Sequence, residues 1–66
     1  MQPEHILKMK FYVNKNHPNL QFQKIDSFNE IDDKIYLKAY FSDQITTTIF
    51  SKENSELRVE AFLLNE

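Results

Sequence analysis

The chain has 66 residues, room for one small domain spanning 1–66, and it contains no glycine and no cysteine. Disulfides, thiolate metal sites and every glycine-rich phosphate loop are thereby excluded. Eight basic and ten acidic residues leave a formal net charge of −2, too small to steer the protein strongly toward nucleic acid or membrane.

No apolar run approaches the length of a membrane span. The start, Met1-Gln2-Pro3-Glu4-His5, has no basic stretch followed by an apolar one. No secretory leader is read there, and the expected location is the cytoplasm, of a cell or of an infected host. A chain this short buries only about 60% of the surface its unfolded form exposes. Self-association or docking on a partner is therefore expected, with a homodimer or other homo-oligomer the simplest form. Without glycine, asparagine and aspartate must supply the turns that need positive φ. Asn14, Asn16, Asn19, Asn29, Asp32, Asp33, Asp43 and Asn54 all fall between apolar runs.

Residues 5–13 alternate: Leu7, Met9, Phe11 and Val13 against Lys8, Lys10 and Tyr12. This pattern predicts a first strand. A helix competes, because Pro3 suits a first helical turn and Glu4 could pair with Lys8. The Phe-Tyr-Val ending favours the strand. Residues 14–19 read as a loop. A second strand is expected from Leu20 to Ile25 or Phe28, with a bulge near Lys24 that returns Ile25 to the face of Leu20 and Phe22.

Ser27 followed by Glu30 matches a helix-capping pattern, and a short helical turn is expected near 27–33. The strongest signal is 34–50. Ile35, Leu37, Ala39 and Phe41 alternate with Tyr36, Lys38 and Tyr40; a polar break at 42–44 follows; then comes a run rich in Ile and Thr. It predicts a central hairpin. A turn at 51–55 leads to a last strand at 56–64. The fold class expected is all-β, or β-rich α+β: a small antiparallel meander of four to five strands.

One face of this sheet collects Leu7, Met9, Phe11, Val13, Leu20, Phe22, Ile35, Leu37, Ala39, Phe41, Ile45, Ile49, Leu57, Val59, Ala61 and Leu63. With no long helix to cover that face, the sheet must curl into a barrel or receive a second subunit. The opposite face carries Tyr12, Tyr36, Tyr40, Phe50, Phe62 and Leu64 among Lys8, Lys10, Lys38 and Arg58, while the acids gather in the turns.

Tyrosine and arginine combine apolar area with a polar tip, as interface centres require. The expected function is a small non-catalytic protein-binding or inhibitor-type module. It would act through this aromatic and basic face or a free strand edge, with Tyr12, Tyr36, Lys38, Tyr40, Phe62 and Arg58 as the binding residues. Weak single-stranded nucleic-acid binding through Lys8, Lys10, Tyr36, Lys38 and Tyr40 is the alternative, and a structural subunit of a larger assembly is another.

Catalytic and metal chemistry is thin. His5 and His17 lack ligand spacing and read as surface histidines, and Glu30, Asp32 and Asp33 read as a solvated acidic turn. No catalytic residue, metal or cofactor is expected. The Lys-, Asn- and Ile-rich usage fits an AT-rich genome, and a phage or mobile element as source.

Overall fold

Residues 5–13 form a helix, not a strand. In the computed structural model, which describes residues 3–65, helix α1 spans Pro3–Asn16. Four strands follow: β1 (Phe22–Ile31), β2 (Lys34–Phe41), β3 (Gln44–Glu53) and β4 (Glu56–Asn65). They make one antiparallel sheet in the order β1-β2-β3-β4. The β-rich antiparallel meander is therefore present, with four strands and the helix in front of them.

The helical period explains the first segment. His5, Met9 and Val13 are buried. They stand at i, i+4 and i+8, on one helical face. Leu7 and Phe11, grouped with Met9 and Val13 by alternation, lie about 200° from Met9 on the wheel and are exposed. Glu4 sits in the first turn and Lys15 in the last, both favourable to the helix dipole. At the C-terminal end the Asn16 amide donates to the Tyr12 carbonyl at 3.0 Å, and the His17 N–H donates to the Val13 carbonyl at 2.7 Å.

The capping pattern at 27–33 does not nucleate a helix. Residues 27–31 lie in β1 and 32–33 form its turn. Hairpin pairing with β2, from Ser27↔Lys38 to Ile31↔Lys34, outcompetes an isolated helical turn, which fixes several dihedrals for few hydrogen bonds. All three connections between strands are two residues long. Asp32 has φ 57°; Ser42 and Asp43 have φ 49° and 65°; Asn54 and Ser55 have φ 53° and 65°. The last two pairs have the type I′ signature, which matches the twist of paired strands.

Turn length fixes register, and register overrules side-chain type in β3. Closing the second hairpin at Phe41↔Gln44 sets Ala39↔Thr46, Leu37↔Thr48 and Ile35↔Phe50. Thr46, Thr48 and Phe50 therefore face the core, while Ile45 and Ile49, expected there, fall on the other side. β1 carries two irregularities, one between Phe22 and Lys24 and one between Ile25 and Ser27. The first is the bulge anticipated near Lys24, and Ile25 packs on the core beside Phe22 and Phe28. In β4 the pairing Phe50↔Val59 then Ile49↔Ala61 leaves Glu60 as an extra residue. That bulge moves the buried face from Leu57 and Val59 to Phe62, so Leu63 is exposed rather than core.

The core lies between α1 and the sheet. Met9 and Val13 meet Ile35, Leu37, Ala39, Phe41, Phe50 and Leu57. The chain thus supplies its own cover over the sheet. The barrel curl and the second subunit invoked to cover that face are not needed, because the helix does it.

Candidate functional site: the groove between α1 and β4

The six residues expected to bind a partner do not form one surface. Tyr12 is on α1 and Phe62 on the helix side of β4, with ring centroids 5.7 Å apart. His17 joins them, 5.0 Å from Phe62, and Phe41 meets Phe62 edge-on at 6.3 Å. This aromatic cluster fastens the C-terminal end of α1 to the sheet.

Tyr36, Lys38 and Tyr40 lie on the opposite, open face. Register places Tyr36 beside Ile49 and Tyr40 beside Ile45, and both tyrosines are half-buried. The Lys24 ammonium stands 5.2 Å from the Tyr40 ring. Arg58 is paired with Glu53 of its own hairpin at 3.1 Å. Lys34 and Glu60 form an ion pair at 2.9 Å that spans β3. The hydrogen bond that the Lys34 ammonium donates to Glu60, together with the carboxylate's charge, raises the lysine pKa above its usual value.

The basic set of the nucleic-acid reading is divided in the same way. Lys8 donates to the Leu57 carbonyl at 2.9 Å, and Lys10 lies 4.3 Å from the Phe22 ring. Both belong to the helix side, away from Tyr36, Lys38 and Tyr40. His5, expected at the surface, is 6% exposed beneath the start of α1. It packs edge-on against Phe28 and Phe50.

What the alternation reading concealed is a groove of about 530 Å³ between α1 and β4. Leu7, Phe11 and Tyr12 line it from the helix, and Leu57 and Val59 from the strand. Leu7 is 65% and Phe11 72% exposed. They are four residues apart, one turn above the other on the same helical stripe. A helical wheel of 3–16 would have placed them together. The two charged side chains in the lining, Lys8 and Lys15, are both basic.

The groove borders a free strand edge. β4 has β3 on one side and, among the described residues, no strand on the other. The second edge of the sheet, β1, is broken by its two bulges, a device that discourages further pairing. Its start is also tied down: the Gln23 amide donates to Asp43 at 3.0 Å and accepts from the Asp43 N–H at 2.7 Å.

Among the described residues no group of three His, Asp or Glu side chains is placed to hold a metal ion, and no helix is long and apolar enough to cross a membrane. No protein-family model, curated protein or solved structure matches the chain.

Proposed function

We propose that this chain is a small non-catalytic protein-binding module that meets its partner at the α1–β4 side. The observation that carries this reading is the pair Leu7 and Phe11. Two large apolar side chains stand mostly in water on one helical stripe, over an apolar groove and beside the outer edge of β4, which has no neighbouring strand among the described residues. Scattered apolar residues on a surface are ordinary, but a contiguous patch over a concave site is the usual mark of an interface.

The open face is the weaker candidate, because its tyrosines are half-buried among Ile45 and Ile49 and its Lys34, Lys24 and Arg58 already have partners. The nucleic-acid reading is weaker again, since its five residues sit on two sides of the sheet.

The test is site-specific cross-linking in the native lysate. A photo-reactive phenylalanine analogue at position 11 is compared with one at position 40. A single protein captured from position 11, and lost in the Leu7→Ser variant, supports the reading. Capture from position 40 alone moves the interface to the open face, and capture of oligonucleotide at either position replaces a protein partner with nucleic acid.

A further inference from the structure

Resting on that reading, we propose that the partner met by Leu7 and Phe11 is a second copy of this chain. Two α1 helices pack antiparallel about a two-fold axis, and Glu4 of each copy pairs with the partner's Lys15.

The exposed stripe of α1 extends beyond its two apolar residues. Glu4, Leu7, Lys8, Phe11 and Lys15 stand at i, i+3, i+4, i+7 and i+11 of the helix. At about 100° per residue they fall within one strip about 100° wide. Its centre is turned about 140° from Met9, the middle of the buried face. The strip therefore points away from the sheet, and a second helix laid along it clears the strands.

Charge chooses the occupant. The strip carries an acid in its first turn and a base in its last, with Leu7 and Phe11 between them. Glu4 and Lys15 are both exposed. The ion pairs among the described residues join Lys34 to Glu60 and Arg58 to Glu53, and leave these two out. A strip acidic at one end and basic at the other complements itself when reversed. A two-fold axis makes that reversal and forms every contact twice.

The helical positions then set the contacts. With the axis level with the midpoint of 4 and 15, Glu4 lies opposite the partner's Lys15. Leu7 comes within about 1.5 Å of the level of the partner's Phe11. Both residues lean to the same side of the strip, at about −60° and −20° from Glu4, so they meet across the axis. Lys8 leans the other way, toward the groove, where its ammonium holds the Leu57 carbonyl at 2.9 Å. A parallel pair would set Glu4 on Glu4 and Lys15 on Lys15, so charge fixes direction as well as partner.

The contact is one helix face, at the low end of specific interfaces. Its exposed ion pairs add little affinity and much orientation. Self-association is therefore expected at roughly tens to hundreds of micromolar.

The experiment follows the mass of the full chain by sedimentation velocity from low micromolar to about millimolar concentration. The mass should climb toward that of two chains, and added salt should weaken the association. Leu7→Ser/Phe11→Ser should stay monomeric throughout. Glu4→Lys and Lys15→Glu each turn both ion pairs into like-charge pairs, and each should weaken self-association by roughly tenfold or more. An equimolar mixture of the two is the control for helix damage. One variant carries a base at both positions and the other an acid at both, so together they should form a heterodimer of nearly unmodified strength.

A monomer at every concentration overturns the proposal. So does a dimer that either charge variant leaves at full strength, or a mixture that restores nothing. If the chain stays monomeric while position 11 captures a different protein, self-association is refuted and the binding module stands. Capture of neither this chain nor another at position 11 removes both.

Discussion

The imidazole of His5 stands edge-on to the ring of Phe50, centroids 5.6 Å apart and planes at 87°. Phe28 closes the other side at 5.3 Å. Neither ring nitrogen has a hydrogen-bond partner among the described residues. The contact holds the first turn of α1 to β1 and β3, but it leaves two polar atoms in an apolar pocket. Each unpaired buried polar group costs about 1–3 kcal/mol. His5→Leu has similar volume and removes both, so it should raise stability by about 1–2 kcal/mol after loss of the ring contacts. Urea unfolding checks this, and a lower midpoint would mean that the imidazole is paired in solution.

Met9 and Phe11 separate the helical reading of the first segment from the strand reading. Met9 is fully buried and Phe11 is largely exposed. Met9→Ala should cost about 2–5 kcal/mol, a large fraction of the stability of a domain this size. Phe11→Ala should stay within about 0.5 kcal/mol. A strand with both side chains on the core face would lose stability in both variants. Thermal unfolding of the two proteins, with far-ultraviolet circular dichroism to confirm helix content, decides it.

The difference between those two residues also marks where the sequence was legible. Strand β2 is readable with both its faces, because strict alternation and turn residues agree there; β4 is readable as a strand, but the extra residue Glu60 turns Phe62 to the core in place of Ala61 and Leu63. Positions 9 and 13 satisfy both a period of two and a period of four, so residues 5–13 alone could not separate strand from helix. Only the burial of His5, which no polarity scale favours, completes the helical stripe. In β3 the run Ile45-Thr46-Thr47-Thr48-Ile49 carries little polarity contrast. The face is set by the length of the preceding turn, not by the side chains. The groove escaped for the same reason as the helix: Leu7 and Phe11 look like core in a strand and like an exposed stripe in a helix. The sequence puts Tyr12 and Phe62 on one face with Tyr36 and Tyr40; the first two are in contact, but at the helix junction and not on the face of Tyr36 and Tyr40.

Thr46 and Thr48 are both fully buried on the helix side of β3, and they differ in one respect. The Thr46 hydroxyl donates to the Ala39 carbonyl at 3.2 Å. The Thr48 hydroxyl has no partner among the described residues. Thr48→Val replaces an unpaired hydroxyl by a methyl of similar shape and should stabilise the protein by about 1 kcal/mol. Thr46→Val removes a hydrogen bond and should gain less, or cost up to about 1 kcal/mol. Equal shifts in the two denaturation midpoints would contradict the difference in pairing.

Ser55 holds φ at 65° in the turn between β3 and β4, and Asn54 before it holds 53°. Asparagine tolerates this region; serine does so at a cost of about 1 kcal/mol that glycine avoids. Asn-Gly is the favoured pair for a type I′ turn. Ser55→Gly should therefore raise the unfolding midpoint by several degrees, since about 1 kcal/mol shifts Tm by about 4–8 °C in a domain of this size. Glycine also gains freedom in the unfolded chain, which reduces the benefit, so the net effect should sit at the lower end. The same substitution at Lys52, which pairs with Leu57 inside the ladder, should destabilise instead, because there glycine only loses strand-forming preference. A stability gain at position 55 together with a loss at position 52 locates the two-residue turn at 54–55. That location fixes the outward-facing groups of the β4 edge.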